Sequence, residues 1–412
     1  MVRGERYRLT IERPAAGGRM IARHEGAIVF VSGAIPGEVI DAEIEKIQRG
    51  TVWAITRQVL ERSPDRIDGV PDGACGGSVF AHIAYERQRR IKSEIITDAF
   101  RRLGRLPLDA PTEITGSPVD GYRMRARLHV RSGRIGFFRE GSHSLCDPAP
   151  TRQLSSDTIG VIAALERNLT GVDAVSDIEL SENIDASERA VHFELLPDKD
   201  ASRLGSLVNV DGVTGATCAH AENPRTIDLC GSPYVADTIA GARLQRHARS
   251  FFQGNRFLTP LLVEHVLSHI DSGPVLDLYA GVGLFSVTAD QRGRGPVTAV
   301  EGDRFSSIDL KGNAEGHNVI VKAEAVESFL ERLREKYSTV IVDPPRTGMS
   351  KEALTRAIAI GSPRVIYVSC DVATLARDAR VMIDAGYRIQ SMRAFDLFPN
   401  TAHVETVISF AR

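Results

Sequence analysis

From about Ser250 to the C-terminus the chain repeats one pattern: a short continuous apolar run, a glycine or proline turn, then a helical stretch. Five runs read as strands: Pro274 to Tyr279, Val297 to Glu301, Thr339 to Asp343, Val365 to Ser369 and His403 to Phe410. Strands with no polar face must be covered on both sides, and strands separated by helices run parallel. The pattern therefore predicts an α/β domain, a parallel sheet between helical layers. Ligands of such sheets bind beyond the carboxyl ends of the strands, so the chemistry is to be sought along that one edge.

The rest of the chain reads differently. Residues 1–62 hold short β-rich runs, Tyr7 to Ile11, Ala27 to Val31, Val39 to Ile47 and Thr51 to Leu60, divided by turn signals such as Ala16-Gly17-Gly18 and Pro36-Gly37. Short strands so closely spaced, about five in this length, suit a small barrel. Residues 63–247 are mixed α+β: Tyr85 to Leu103 is helical in pattern and Tyr122 to Phe138 alternates like strands. The regular α/β unit occupies 248–412. No run approaches the roughly 18 apolar residues of a membrane helix, and the N-terminus lacks a signal-peptide core, so a cytoplasmic protein is expected. The five cysteines are scattered and odd in number, which argues against a disulfide framework.

Net charge is only -2, so a nucleic-acid partner would have to be met by local charge. One strand supplies it. In Tyr122 to Arg131, Arg123, Arg125, Arg127, His129 and Arg131 share one face, while Met124, Ala126, Leu128 and Val130 share the other. With a side-chain period of two this is an apolar underside beneath a guanidinium ridge, and with little acid nearby the ridge favours RNA over a merely solvated face. Arg87, Arg89, Arg90, Lys92, Arg101, Arg102 and Arg105 form a second basic segment, which on a helix is equally well explained as solvent-facing.

In the α/β unit, the strand ending at Tyr279 leads into Gly281 and Gly283, where the backbone can approach a ligand closely. Glu301 closes the next strand, placed to take two ribose hydroxyls. The glycine pair alone would fit a dinucleotide fold equally well. The third glycine of that fingerprint is replaced by Ser286, which favours a nucleoside cofactor without a pyrophosphate, such as S-adenosylmethionine. Asp343-Pro344-Pro345-Arg346 forms a rigid turn at the ligand edge. Cys370 follows the strand Val365 to Ser369 and faces the start of a helix, where a thiol can have a lowered pKa. Glu405 begins the last strand, at the same edge.

Together these segments resemble the RNA 5-methyluridine (uracil-C5) methyltransferase family, in its TRAM-containing branch, over nearly the whole chain. Gly17-Gly-Arg-Met-Ile-Ala-Arg23 and Val31-Ser-Gly-Ala-Ile-Pro-Gly-Glu38 resemble a TRAM domain, an OB-like RNA-binding barrel. Phe251-Phe-Gln-Gly-Asn255 and Leu276 to Ser286 resemble the cofactor segments, Tyr367 to Arg377 the nucleophile segment, and Phe398 to Glu405 the base segment. The resemblance implies a C-terminal Rossmann-like class I methyltransferase domain behind a central RNA-binding domain. It implies Gln253, Tyr279, Gly281, Gly283, Glu301 and Asp343 at S-adenosylmethionine. It also implies Pro344 and Pro345 beside the target base, Cys370 as nucleophile and Glu405 as base, while the ridge itself supplies Arg123, Arg125 and Arg127 as the expected RNA contacts. No catalytic metal is expected, and a monomer acting on ribosomal RNA, or alternatively on the thymine loop of transfer RNA, is.

The chain departs from the family pattern in three places. Leu284 stands where an Asn is common, and Ala325 where another polar residue falls, which leaves room for a non-catalytic RNA-binding or assembly factor. The four iron–sulfur ligand positions read Gly69, Cys75, Ser78 and Thr151, so the cluster is expected to be absent, with Cys146 the one nearby substitute.

Overall fold

The computed structural model describes residues 1–69, 72–202, 204–220 and 225–412; the others, all within 63–247, lie outside the described residues. Arg6–Pro14 (β1), Met20–His24 (β2), Ala27–Ser32 (β3), Val39–Gln48 (β4) and Thr51–Glu61 (β5) close into a barrel in the order β1-β2-β3-β5-β4. Closure removes the free edges that five short strands would otherwise expose. Phe80, Ile83, Ile91 and Ile95 from the following segment pack against the barrel core. The barrel also touches the far end of the chain: at Gly18, with φ +89°, a Cβ would lie 2.6 Å from that of Ala402.

The helix Tyr85–Ala99 (α1) runs into a wider π turn, Phe100–Gly104, and Ile114–Thr115 (β6) follows. A second sheet then forms from Arg125–Arg131 (β7), Arg134–Phe138 (β8), Leu145–Cys146 (β9), Val175–Glu182 (β10), Arg189–Leu195 (β11), Gly215–His220 (β12) and Ile227–Gly231 (β13), with helices Ser156–Asn168 (α2) and Leu204–Val208 (α3). Its order is β13-β12-β11-β10-β7-β8-β9. On β7 the expected alternation holds, with Met124, Ala126, Leu128 and Val130 buried.

The premise of little acid nearby does not hold. Strand β10 sets Glu179 opposite Arg127 and Asp177 opposite His129. Arg125 pairs with Glu179 at 2.7 Å and Arg127 with Glu194 at 3.0 Å. Arg123 turns to Gln153 Oε1, 2.6 Å away. Cross-strand partners are distant in sequence, so reading β7 alone overstated its free charge. The cysteines bring a second correction: Cys75 and Cys146 are joined as a disulfide across 71 residues.

The hairpin Tyr234–Ile239 (β14) and Ala242–His247 (β15) leads into the α/β unit, which continues through Thr259–Ser268 (α4), Val275–Leu278 (β16), Leu284–Gln291 (α5), Val297–Glu301 (β17), Arg304–Asn313 (α6) and Val319–Ala323 (β18). Val326–Arg332 (α7), Thr339–Val342 (β19), Lys351–Ala359 (α8), Arg364–Ser369 (β20), Val372–Asp384 (α9), Arg388–Phe395 (β21) and Glu405–Ala411 (β22) complete it. The sheet order is β18-β17-β16-β19-β20-β22-β21-β6. Strands β16 to β20 are parallel as expected, but β22 is antiparallel to both its neighbours, so the sheet is mixed. Strands β18 and β21 escape the apolar-run criterion because both carry exposed or half-exposed residues along most of their length.

The crossover from β21 to β22 is held from outside the α/β unit. Lys92 Nζ of α1 donates to Asp396 Oδ1 at 2.5 Å and to the Phe398 carbonyl at 3.0 Å, with Lys92 and Asp396 both fully buried. Gln88 exchanges two 2.9 Å hydrogen bonds with Asn400. Removing one partner of a buried ion pair leaves an uncompensated charge, so Lys92→Met is expected to cost about 3–5 kcal/mol in chemical denaturation. Lys92→Met with Asp396→Leu should recover most of that loss; a double variant as unstable as the single one would contradict the account.

Candidate active site

Strand β16 is wholly buried and carries one charged residue, Asp277. It is followed by Tyr279, whose φ of +62° is unusual for a bulky side chain, and the chain continues through Gly281 at φ +57° and Gly283 at φ +95°. Such left-handed backbone at a non-glycine residue is strained and tends to gather at functional turns. Nothing lies within 4 Å of the Cβ that Gly281 lacks, whereas at Gly283 a Cβ would meet Leu310 and Val287 at 2.8 Å. The first glycine thus leaves open space beside the backbone, and the second allows the helix to pack.

Carboxyl groups line this turn. Asp277 Oδ2 accepts from Ser286, while its Oδ1 is buried without a partner. Burial pushes its pKa up to about 7, against the Ser286 hydrogen bond. Glu301 accepts from the Gly281 and Asp303 amides at 2.7 and 2.6 Å, and burial raises its pKa too. Asp343 follows β19, accepts from Gln253 Nε2 at 3.1 Å, and is raised by burial and by the nearby Asp277 carboxyl. Buried acids with raised pKa values and an orphaned oxygen form a site short of positive charge. That donor set fits a cationic ligand of the kind S-adenosylmethionine provides, a sulfonium with an ammonium.

Leu284 is buried in the core and offers no polar contact. Ala325 is exposed and sits at the start of α7 without a side-chain cap. Both departures remain local, and the carboxyl wall is complete without them.

Cys370 and Glu405 meet because β20 and β22 pair antiparallel with Ser369 opposite Thr406; each residue is the next one beyond that pair. Glu405 is 2% exposed, and its Oε1 has no partner. Burial and then the Asp343 carboxyl raise its pKa well above the usual carboxylate range, opposed by Arg346. The thiol does not behave as its position beside a helix suggests. Burial first, then Glu405 and Asp343, push Cys370 up to about 12, while the nearby Arg346 charge pulls the other way. The helix terminus gives little help because Asp371 caps it with its own carboxylate, accepting from the Thr374 amide at 2.8 Å. Pro344 is buried and Pro345 exposed beside this pair.

Of the expected RNA ridge, Arg123 lies near enough to Arg346 for the two charges to interact. Arg125 stands 5.8 Å from the ring of Phe251, which is 58% exposed. Arg127 points away, to the carboxylates of the second sheet. Sequence reading overlooked Asp277 and the role of Arg346. A lone acid inside Val275-Leu-Asp-Leu278 was a usable signal for the first.

Comparison with known proteins agrees with this geometry. Residues 2–55 match the TRAM domain, and residues 316–412 match the tRNA (Uracil-5-)-methyltransferase family. An RNA methyltransferase of Streptomyces avermitilis is 30% identical over 430 aligned residues, covering 98% of both chains. The 23S rRNA (uracil(1939)-C(5))-methyltransferase of Pseudomonas entomophila is 30% identical over 428, covering 99% of this chain and 94% of that one. The solved tRNA (uracil-54, C5)-methyltransferase of Pyrococcus abyssi, in complex with S-adenosyl-L-homocysteine, superposes with a TM-score of 0.78 at 22% identity, covering 98% of this chain and all of that one, a likeness of fold.

A thiol with its pKa near 12 reacts only through its minor thiolate. Alkylation of Cys370 by iodoacetamide, followed by peptide mass spectrometry, should quicken roughly tenfold per pH unit from pH 7 to 10. A rate that levels off below pH 8 would mean the resting residue is a thiolate.

Proposed function

Because the chain belongs to the S-adenosylmethionine-dependent RNA uracil-C5 methyltransferase family, we propose that it methylates carbon 5 of a uridine in 23S ribosomal RNA, with Cys370 as nucleophile and Glu405 as base. The observation that carries this reading is the pairing of Ser369 with Thr406, which sets a thiol and a carboxyl side by side against the acid-lined cofactor turn.

Carbon 5 of uracil is a poor nucleophile until something adds at carbon 6. Cys370 gives its proton to solvent as the sulfur bonds to carbon 6, and the electron pair moves through carbon 5 to the carbonyl oxygen as an enolate. S-adenosylmethionine, when bound, supplies an electrophilic methyl for carbon 5. Glu405 then takes the carbon-5 proton, the sulfur leaves carbon 6, and one proton is released overall. Arg346, against the sulfur and near Glu405, favours the charged form of both groups. Glu405 takes the carbon-5 proton only as the carboxylate, and burial raises its pKa, so elimination should accelerate as pH rises. Gln253, Tyr279, Gly281, Gly283, Glu301 and Asp343, together with Asp277, would hold the cofactor. Pro344 and Pro345 would bound the pocket for a base turned out of its stack.

The ribosomal substrate follows the full-length relative in Pseudomonas entomophila, named for 23S rRNA. The cytoplasm suits such a substrate, and among the described residues no helix is long and apolar enough to cross a membrane. The reading uses one chain and no iron–sulfur cluster, and the pairing of Cys75 with Cys146 supports the second point by occupying both cysteines nearest the cluster positions.

Transcripts of 23S rRNA and of transfer RNA, incubated with methyl-labelled cofactor and digested to nucleosides, test this directly. Labelled 5-methyluridine from the 23S transcript is expected. Label confined to the transfer RNA would replace the substrate, and label on cytidine or an exocyclic amine would overturn the reaction.

A further inference from the structure

We propose that Arg101, Arg102 and Arg105, at the end of α1, grip the RNA backbone and lead a uridine to Cys370; this rests on the RNA methyltransferase reading above. The first support is charge. Arg101 pairs with Asp98 at 2.8 Å, Arg102 at 3.4 Å and Arg13 of the barrel at 3.0 Å. One carboxylate thus faces three guanidinium groups. Among the described residues Arg105 has no carboxylate within ion-pair distance. The contrast is with β7, where Arg125 and Arg127 meet Glu179, Asp177 and Glu194. The net positive patch of this region is therefore at the helix end, and the Arg101 and Arg102 side chains are 64% and 53% exposed. Guanidinium forks match phosphate oxygens, which gives the patch its ligand class.

The backbone supplies the second support. Phe100–Gly104 is a π turn that buries Phe100 and Gly104 and leaves the two arginines outside. Such turns are rare and frequently mark functional sites. Arg105 then sits at φ +51°, in the left-handed region that favours glycine, with its amide closing the turn on the Phe100 carbonyl. No contact of its side chain within the described residues accounts for an arginine at that strained position.

Location is the third. A Cβ on Gly104 would lie 2.9 Å from the Ala376 carbonyl, so the turn presses directly on α9. Ala376 is six residues beyond Cys370. At the helical rise this is about 9 Å, less than three stacked nucleotides at about 3.4 Å each. The patch therefore lies against the same helix that begins beside the thiol, within the span of a few nucleotides.

The test is the salt dependence of poly(U) binding by the full-length protein. Three lost single-strand contacts should lower the slope of log K against log salt by about two in Arg101→Gln/Arg102→Gln/Arg105→Gly. S-adenosylhomocysteine should bind the variant as it binds the wild type. Arg105→Gly alone gives a sharper sign. Glycine relieves the left-handed backbone, so the melting temperature should rise while the salt slope falls; a purely structural arginine would give stability without the loss. If the wild type methylates RNA yet the triple variant keeps its full slope, the patch is refuted and the enzymatic reading stands. If the wild type binds no RNA, both fall.

Discussion

The buried pair between Lys92 and Asp396 is the interaction on which the catalytic arrangement depends. Strand β22 must enter the sheet against the direction of β20 to set Glu405 beside Cys370, so the chain must first cross the ligand edge between Phe395 and Glu405. That crossing has no strand or helix of its own, and buried backbone groups there still need partners. Lys92 takes the Phe398 carbonyl, Asn255 the Leu397 carbonyl at 3.2 Å, and Tyr122 the Pro399 carbonyl at 3.3 Å. All three come from outside the parallel strands. The barrel adds the close approach of Gly18 to Ala402. The N-terminal half is thus part of what holds Glu405 in place.

Electrostatics at the site runs in one direction. Asp277, Glu301, Asp343 and Glu405 are all raised by burial, and the Cys370 thiol is raised with them. Burial thus disfavours the charged form of each of these groups in the same place. Arg346 opposes this at both Cys370 and Glu405. A ligand carrying positive charge would shift the whole set toward ionisation, which ties the chemistry to a filled site.

Much of this was legible in the sequence because it is local. The apolar runs of β16, β17, β19 and β20, the glycine turn, Asp343-Pro344-Pro345, Cys370 and the start of β22 at Glu405 are contiguous signals. What escaped depends on residues far apart in the chain. The acids that neutralise β7 lie on β10 and β11, more than 45 residues away. The Cys75–Cys146 disulfide spans 71 residues. The thiol's upward shift comes first from burial and then from Glu405 and Asp343, which the fold brings in from other segments of the chain. Strands β18 and β21 were missed for the opposite reason: at the sheet's margins they need no continuous apolar run.

The measurement that bears most directly on the central claim is a trapped protein–RNA adduct. With Glu405→Gln, cysteine addition and methyl transfer can proceed, but the amide cannot take the carbon-5 proton. The account predicts a species that survives denaturation, carries the transferred methyl, and maps to Cys370 by mass spectrometry, with none formed by Cys370→Ala. Turnover of Glu405→Gln at nearly the wild-type rate, or an adduct mapped to Cys218 or Cys230, would contradict it.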